Sequence, residues 1–192
     1  EDTTQLMVIH DDTVQRTTNG KGLVSDYAFE QLSKLDAGDG NPIPRSTEVT
    51  ALVAQHLAAA QPLVNIELKG RGTAAPTARF LQAHPELAVL VSSFNHRELL
   101  AFRALDETTP IAPLFERARA SMLDTASALG ASCVNVSQRM VKPGLIEQCN
   151  DAGFPVLAYT VNQQHEAQRL KALGVGGVFT DRPDVLMALG GD

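Results

Sequence analysis

Two short stretches hold side chains that could move protons and engage a phosphate. The first is His10-Asp11-Asp12 followed by Arg16-Thr17-Thr18-Asn19-Gly20, placed just after the apolar run Leu6-Met7-Val8-Ile9. An imidazole titrates near pH 6.5, so it can give or take a proton around neutrality, and Asn-Gly marks a tight turn beyond it. Taken alone, such a histidine could equally be structural. The second stretch is Asn65-Ile66-Glu67-Leu68-Lys69. In a strand, alternate residues face one side, so Asn65, Glu67 and Lys69 share a face while Val64, Ile66 and Leu68 share the other. Three polar groups on one side of an apolar strand are costly to bury unpaired. Either Glu67 and Lys69 satisfy each other, or they meet a ligand at the mouth of a sheet.

Such groups need a frame, and the chain after residue 60 supplies one. Apolar runs at 63–69, 88–92, 111–115, 133–136, 155–161 and 177–180 read as strands. Helical segments fall between them at 74–83, 97–105, 145–152 and 164–173; in the last, Ala167, Leu170 and Leu173 recur at helical spacing. Gly130, Gly153 and Gly174 stand where left-handed helix ends favour a residue without Cβ. Strand and helix alternating in this way predict βα units around a parallel sheet. The segment 20–44 differs, being polar and glycine-rich with one short helical stretch around 27–35. It reads as a long loop that is either functional or a surface insertion.

Bulk properties narrow the partners. At 192 residues the chain fits one domain, 1–192, with a sizeable core. A net charge of -6 argues against a nucleic-acid surface, and no apolar run reaches the ~20 residues of a membrane span. The two cysteines, Cys133 and Cys149, show no pairing pattern. The expectation is a reduced cytoplasmic protein, with the periplasm as the alternative.

The order His10-Asp11, Arg16-Thr17-Thr18-Asn19-Gly20, then Asn65-Ile66-Glu67-Leu68-Lys69 resembles the glycerophosphodiester phosphodiesterase family. Ser92-Ser93-Phe94, Tyr159-Thr160-Val161-Asn162 and Phe179-Thr180-Asp181-Arg182-Pro183-Asp184 are also similar, so the likeness runs from His10 to Asp184. It departs at Ile43-Pro44-Arg45-Ser46-Thr47-Glu48, where Ser and Thr replace a usual leucine; that change should affect packing of a helix over 47–60. The resemblance implies an α/β fold, a (β/α)8 TIM barrel. Six βα units against eight make it incomplete at the N-terminus, lacking the first two strands, with 6–10 as the returning arm of a hairpin. It implies hydrolysis of glycerophosphodiesters to glycerol 3-phosphate and an alcohol. His10 would be catalytic, Glu67 a ligand of a divalent cation (Mg2+ or Ca2+), and Lys69 a contact to substrate phosphate. Phe94, Tyr159 and Asn162 would contact the rest of the small-molecule substrate.

The family's other histidine, in a His-Arg-Gly motif, and its other two carboxylates, in Glu-x-Asp, have no counterpart here. None of His56, His84, His96 or His165 precedes Arg-Gly, and Glu1 and Asp2 are adjacent rather than alternating. His96 reads as a surface or capping residue, and Asp181 and Asp184 as caps of the last helix. The expectation is therefore that a chain starting at Glu1 is inactive. Two rival readings stand beside the enzyme. One is a non-catalytic barrel fragment or phosphate-binding module that exchanges strands into a homo-oligomer. The other is an open α/β sheet binding a phosphorylated metabolite at a switch point.

Overall fold

The computed structural model describes residues 5–55 and 63–186. Its frame is one parallel sheet in which sequence order and spatial order coincide: β1 (Val64–Glu67), β2 (Val89–Ser93), β3 (Ile111–Phe115), β4 (Val134–Ser137), β5 (Val156–Tyr159) and β6 (Gly177–Val178). Unbroken neighbour-to-neighbour winding is the topology of a barrel wall, not of a doubly wound sheet whose order reverses. The open-sheet reading is thereby overturned, and a six-strand parallel half-barrel stands in its place. All five residues of β2 and of β3 are buried, as strands covered on both faces must be.

Helices α3 (Ala74–Ala83), α4 (His96–Arg103), α5 (Met122–Ala128), α6 (Pro143–Asp151) and α7 (Gln164–Ala172) follow β1 to β5 in turn, and the short α8 (Pro183–Leu186) follows β6. Helices α3 to α7 each lay an apolar stripe on the sheet. Leu81, Leu99 and Phe102 pack on Val89, Val91 and Ile111, while Ile146, Cys149 and Leu170 pack on Val134, Val136, Val156 and Ala158. The ends are specified locally. Glu98, one turn into α4, accepts the N–H groups of Gly72 (2.8 Å) and Ala74 (3.1 Å) at the start of α3. Pro143 opens α6, where its missing N–H costs nothing. Gly153 and Gly174 close α6 and α7 at φ 79° and 88°, a region that penalises any Cβ.

The 5–45 region stands outside this sheet. Val8 N–H donates to Pro44 O (2.8 Å) and Ser46 N–H to Leu6 O (2.9 Å), so the stretch expected as a hairpin arm lies antiparallel to the chain entering α2 (Ser46–Ala54). A second antiparallel bridge joins Thr13 and Leu23. Segment 20–44 is not a bare loop. It contains a 3-10 turn (Val24–Asp26) and α1 (Phe29–Leu32), and it buries Leu32 and Ile43 against Val14, with Met7, Ile9, Tyr27 and Leu35 around them. Beyond α2, the remainder of the helix expected over 47–60 lies outside the described residues, as do Glu1, Asp2 and His56.

Candidate functional site at the C-terminal mouth of the half-barrel

Strand register decides which residues meet. Glu67 lies beside Ser92, Ser92 beside Ala112, Leu114 beside Asn135, and Ser137 beside Tyr159. Because side chains alternate, all of these face the inner side of the sheet, while Val91, Ile111, Val136 and Ala158 face the helices. Leu90, Ala112, Cys133 and Leu157 fill the lower inner layer. Ser92 stands one inner-facing step above Leu90 and beside Ala112, and Asn135 one step above Cys133 and beside Leu157; both are fully buried, and Ser92 Oγ and Asn135 Nδ2 have no hydrogen-bond partner among the described residues. The top layer is polar and aromatic: Glu67 with Lys69, then Phe94, Glu116, Ser137 and Tyr159. Polar residues at the C-terminal ends of barrel strands are placed where barrel enzymes do their chemistry.

Within that layer Lys69 Nζ stands 3.2 Å from Glu67 Oε1, both side chains about one quarter exposed. The self-satisfying pair anticipated for these residues is therefore formed. Phe94 and Tyr159 meet edge to face, with centroids 5.7 Å apart at 86°. The Tyr159 hydroxyl donates to Glu116 Oε2 at 3.3 Å. Burial, followed by the negative charges of Glu116 and Glu67, pushes the Tyr159 phenol well above its ordinary range, so it remains a proton-bearing donor.

Asn162 is held on the next loop. Its Oδ1 accepts from Thr180 Oγ1 (3.1 Å) and Asp181 N–H (2.8 Å), and its Nδ2 donates to Asp181 Oδ2 (3.0 Å). It thus clasps the loops after β5 and β6 together. The expectation that Asp181 and Asp184 cap the last helix is corrected for Asp181, which holds Asn162; Asp184 takes both prongs of the Arg182 guanidinium (2.9 and 2.7 Å) and also faces the N–H groups of Asp184 and Val185 in the first turn of α8. A hydroxyl, Thr180 Oγ1, accepts the Arg182 N–H instead. His96 is corrected as well. Its Nε2 lies 3.1 Å from Leu114 O and its ring packs on Phe115 at 4.9 Å, while Asn95 provides the cap of α4 by accepting from Arg97 N–H. The imidazole is thus part of the helix–sheet packing.

His10 comes from the 5–45 region, with an exposed side chain. Its Nδ1 lies 2.7 Å from Asp11 Oδ1. Arg16 grips the same carboxylate, Nε to Oδ2 at 2.5 Å and Nη2 to Oδ1 at 2.8 Å. This Arg16 fork, with the His10 contact second, holds the Asp11 carboxyl well below the usual carboxylate range. Asp11 therefore stays charged and keeps a fixed acceptor at Nδ1, which leaves Nε2 as the free ring nitrogen. The sequence showed His10 but not this clamp; the spacing of Arg16 from Asp11 was its one available sign. Glu116 was missed too, although it continues the inner-facing parity of Ala112 and Leu114.

Among the described residues, no three His, Cys, Asp or Glu side chains gather closely enough to hold a metal ion. A hard cation takes several oxygen ligands, and Glu67 is one carboxylate already neutralised by Lys69. The described side chains therefore do not by themselves make up a cation site. Cys133 and Cys149 are free and buried, and burial pushes the Cys133 thiol up to about 11, so neither thiol is a ready nucleophile. No helix among the described residues is long and apolar enough to cross a membrane.

Known proteins share both sequence and shape with this arrangement. The chain is 32% identical over 197 residues to a glycerophosphodiester phosphodiesterase of Caldanaerobacter subterraneus, covering 96% of this chain and 79% of that protein. It is 32% identical to one from Bacillus altitudinis, covering 94% and 78%. In shape it matches a phosphodiesterase of Oleispira antarctica solved with its product sn-glycerol-3-phosphate: TM-score 0.90, 26% identity, 97% of this chain and 79% of that one. A Thermotoga maritima glycerophosphodiester phosphodiesterase shares the fold at TM-score 0.70 and 17% identity, covering 97% and 79%. With residues 4–185 also matching the family model throughout the half-barrel and the His10 segment, the chain belongs to the glycerophosphoryl diester phosphodiesterase family.

Proposed function

We propose that this protein hydrolyses glycerophosphodiesters to glycerol 3-phosphate and an alcohol. The observation that carries this is the inner-facing ring of Glu67, Lys69, Phe94 and Tyr159 at the C-terminal mouth of a half-barrel of this family. In the reaction, water oxygen ends on phosphorus and its released proton passes to solvent, the bond from phosphorus to the alcohol oxygen breaks, and a proton ends on the departing alkoxide, the donor being reprotonated from solvent. His10 Nε2 supplies that proton, with Asp11 fixing the ring through Nδ1. Lys69 contacts the phosphate and stabilises charge gathering on its oxygens. Phe94 and Tyr159 flank the organic part of the substrate. Asn162 reaches it with the second N–H of its amide, the first being held by Asp181.

Glu67, paired with Lys69, is proposed as one member of a larger ligand set for a divalent cation, Mg2+ or Ca2+. The whole chain is proposed as one domain holding six βα units of an incomplete (β/α)8-type barrel, in keeping with the unbroken strand order. A cytoplasmic location is proposed from the two free cysteines.

The test is release of glycerol 3-phosphate from glycerophosphocholine, with and without chelator, by residues 1–192 alone and by the same chain preceded by the family's His-Arg-Gly and Glu-x-Asp segments (the extended chain). Turnover by the second that stops on chelation and returns with Mg2+ or Ca2+, with none by the first, is the expected result. Binding of glycerol 3-phosphate with no turnover under any condition would instead favour a phosphate-binding module.

A further inference from the structure

Glu116 is a carboxylate with no assigned task in that chemistry. It follows β3 on the inner-facing parity and is exposed, with one oxygen tied to the Tyr159 hydroxyl. Its other oxygen makes no hydrogen bond, and Glu116 makes no ion pair, among the described residues, although Arg117 and Arg119 follow it on the same loop. Glu67 differs, because Lys69 neutralises it. Beside Glu116 sit two aromatic rings. Phe94 is 46% exposed and belongs to no core cluster, yet it is braced edge to face against Tyr159. An exposed ring, Phe94, braced on the half-buried Tyr159, whose hydroxyl holds a carboxylate free of any ion pair among the described residues, is an arrangement suited to a ligand.

We propose that Phe94, Tyr159 and Glu116 form a subsite for a cationic alcohol, a quaternary or primary ammonium group esterified to the phosphate. This rests on the hydrolase reading and names its preferred substrate class. A quaternary ammonium cannot donate a hydrogen bond from nitrogen. It is recognised through π faces and through opposite charge, and these three residues offer both. An alcohol bearing a carboxylate meets repulsion from Glu116, and a neutral polyol gains neither interaction. The Tyr159 hydroxyl keeps the Glu116 carboxylate beside the rings, and its raised pKa keeps that donor protonated throughout the working range. The cation-binding corner adjoins the Glu67–Lys69 corner, because both lie in the same inner layer of the sheet.

The probe is choline itself, titrated calorimetrically into the full chain and into Glu116→Gln and Phe94→Leu. Turnover of glycerophosphocholine and of glycerophosphoglycerol is measured in parallel in the extended chain. Choline should bind the parent chain and bind each variant about tenfold more weakly. For Glu116→Gln the preference for glycerophosphocholine over glycerophosphoglycerol should fall by a similar factor, with turnover of the diester of the neutral alcohol within about twofold of the parent; Phe94→Leu, at a residue that flanks the organic part of any substrate, is read by choline binding alone. No choline binding by the parent would overturn the subsite, as would a loss shared equally by both diesters. If no glycerophosphodiester is turned over at all, the hydrolase reading fails, while the choline titration still decides the subsite.

Discussion

The 5–45 region and the half-barrel are held together by opposite means. The half-barrel rests on a continuous parallel ladder with an apolar layer beneath its helices, where Phe102, Leu99 and Ile111 are fully buried. The 5–45 region has isolated bridges, a three-residue buried cluster of Val14, Leu32 and Ile43, and many bonds from side chain to backbone. Asp36 Oδ1, for example, accepts from both Gly38 and Gly40 N–H. The proposed proton donor sits on the weaker scaffold and the proposed phosphate contact on the stronger one. The pairing teaches that a small cluster suffices for a histidine when a local clamp, Arg16–Asp11–His10, orients it. A charged pair destined for the sheet interior needs a strand register instead.

Four substitutions, with turnover read in the extended chain, would sharpen or break this contrast. His10→Ala should lower kcat by about 10²–10⁴-fold, the ordinary contribution of an acid–base group, with Tm unchanged; a large fall in Tm would mean that the residue also holds the fold. Phe102→Ala should destabilise the whole chain by about 3–5 kcal/mol in urea unfolding. Leu32→Ala should cost about 2 kcal/mol and raise hydrogen exchange in 5–45 while β2 to β4 stay protected. Loss of protection in both regions together would show that they unfold as one unit and dissolve the distinction.

The smallest effect is expected of Arg16→Ala. The depressed Asp11 pKa means that its charged contact with His10 exists above that pKa and is lost only as pH falls through it. Without Arg16 the carboxyl moves back toward the ordinary range, so the acid limb of the kcat/KM profile should shift upward in pH. At pH 7 the loss should stay below about tenfold. An unmoved acid limb would show that the clamp does not govern His10.

The half-barrel was legible because strands buried on both faces must be runs of apolar residues, and Ile111–Phe115 and Ala74–Ala83 fell on their expected bounds. Where the polar layer begins, the reading frayed: Lys69 lies past the end of β1, and β5 stops at Tyr159 rather than at Val161. Of helix α5 only the end was legible, at Gly130 (φ 60°); its span, Met122–Ala128, is short and rich in Ser, Asp, Thr and Ala, with too few apolar positions to show a period. The cluster in 5–45 was illegible for another reason. Val14, Leu32 and Ile43 are far apart in sequence, and only tertiary closure brings them together. For the site, parity joined Glu67 with Lys69. No local pattern could show that Phe94 and Glu116, just past the ends of β2 and β3, each meet Tyr159 at the end of β5.

The fully buried and unpartnered Ser92 Oγ and Asn135 Nδ2 carry a consequence for how such a protein can be altered. Each leaves a desolvated polar atom uncompensated, at about 1–3 kcal/mol, directly under the mouth. An apolar replacement that keeps the shape, such as Ser92→Ala, would raise the melting temperature. A selection for heat resistance alone would find these two positions early and make the layer beneath the mouth wholly apolar. Directed evolution of this chain should therefore screen turnover in every round of thermal selection, since the cheapest gains in durability lie one layer below the chemistry.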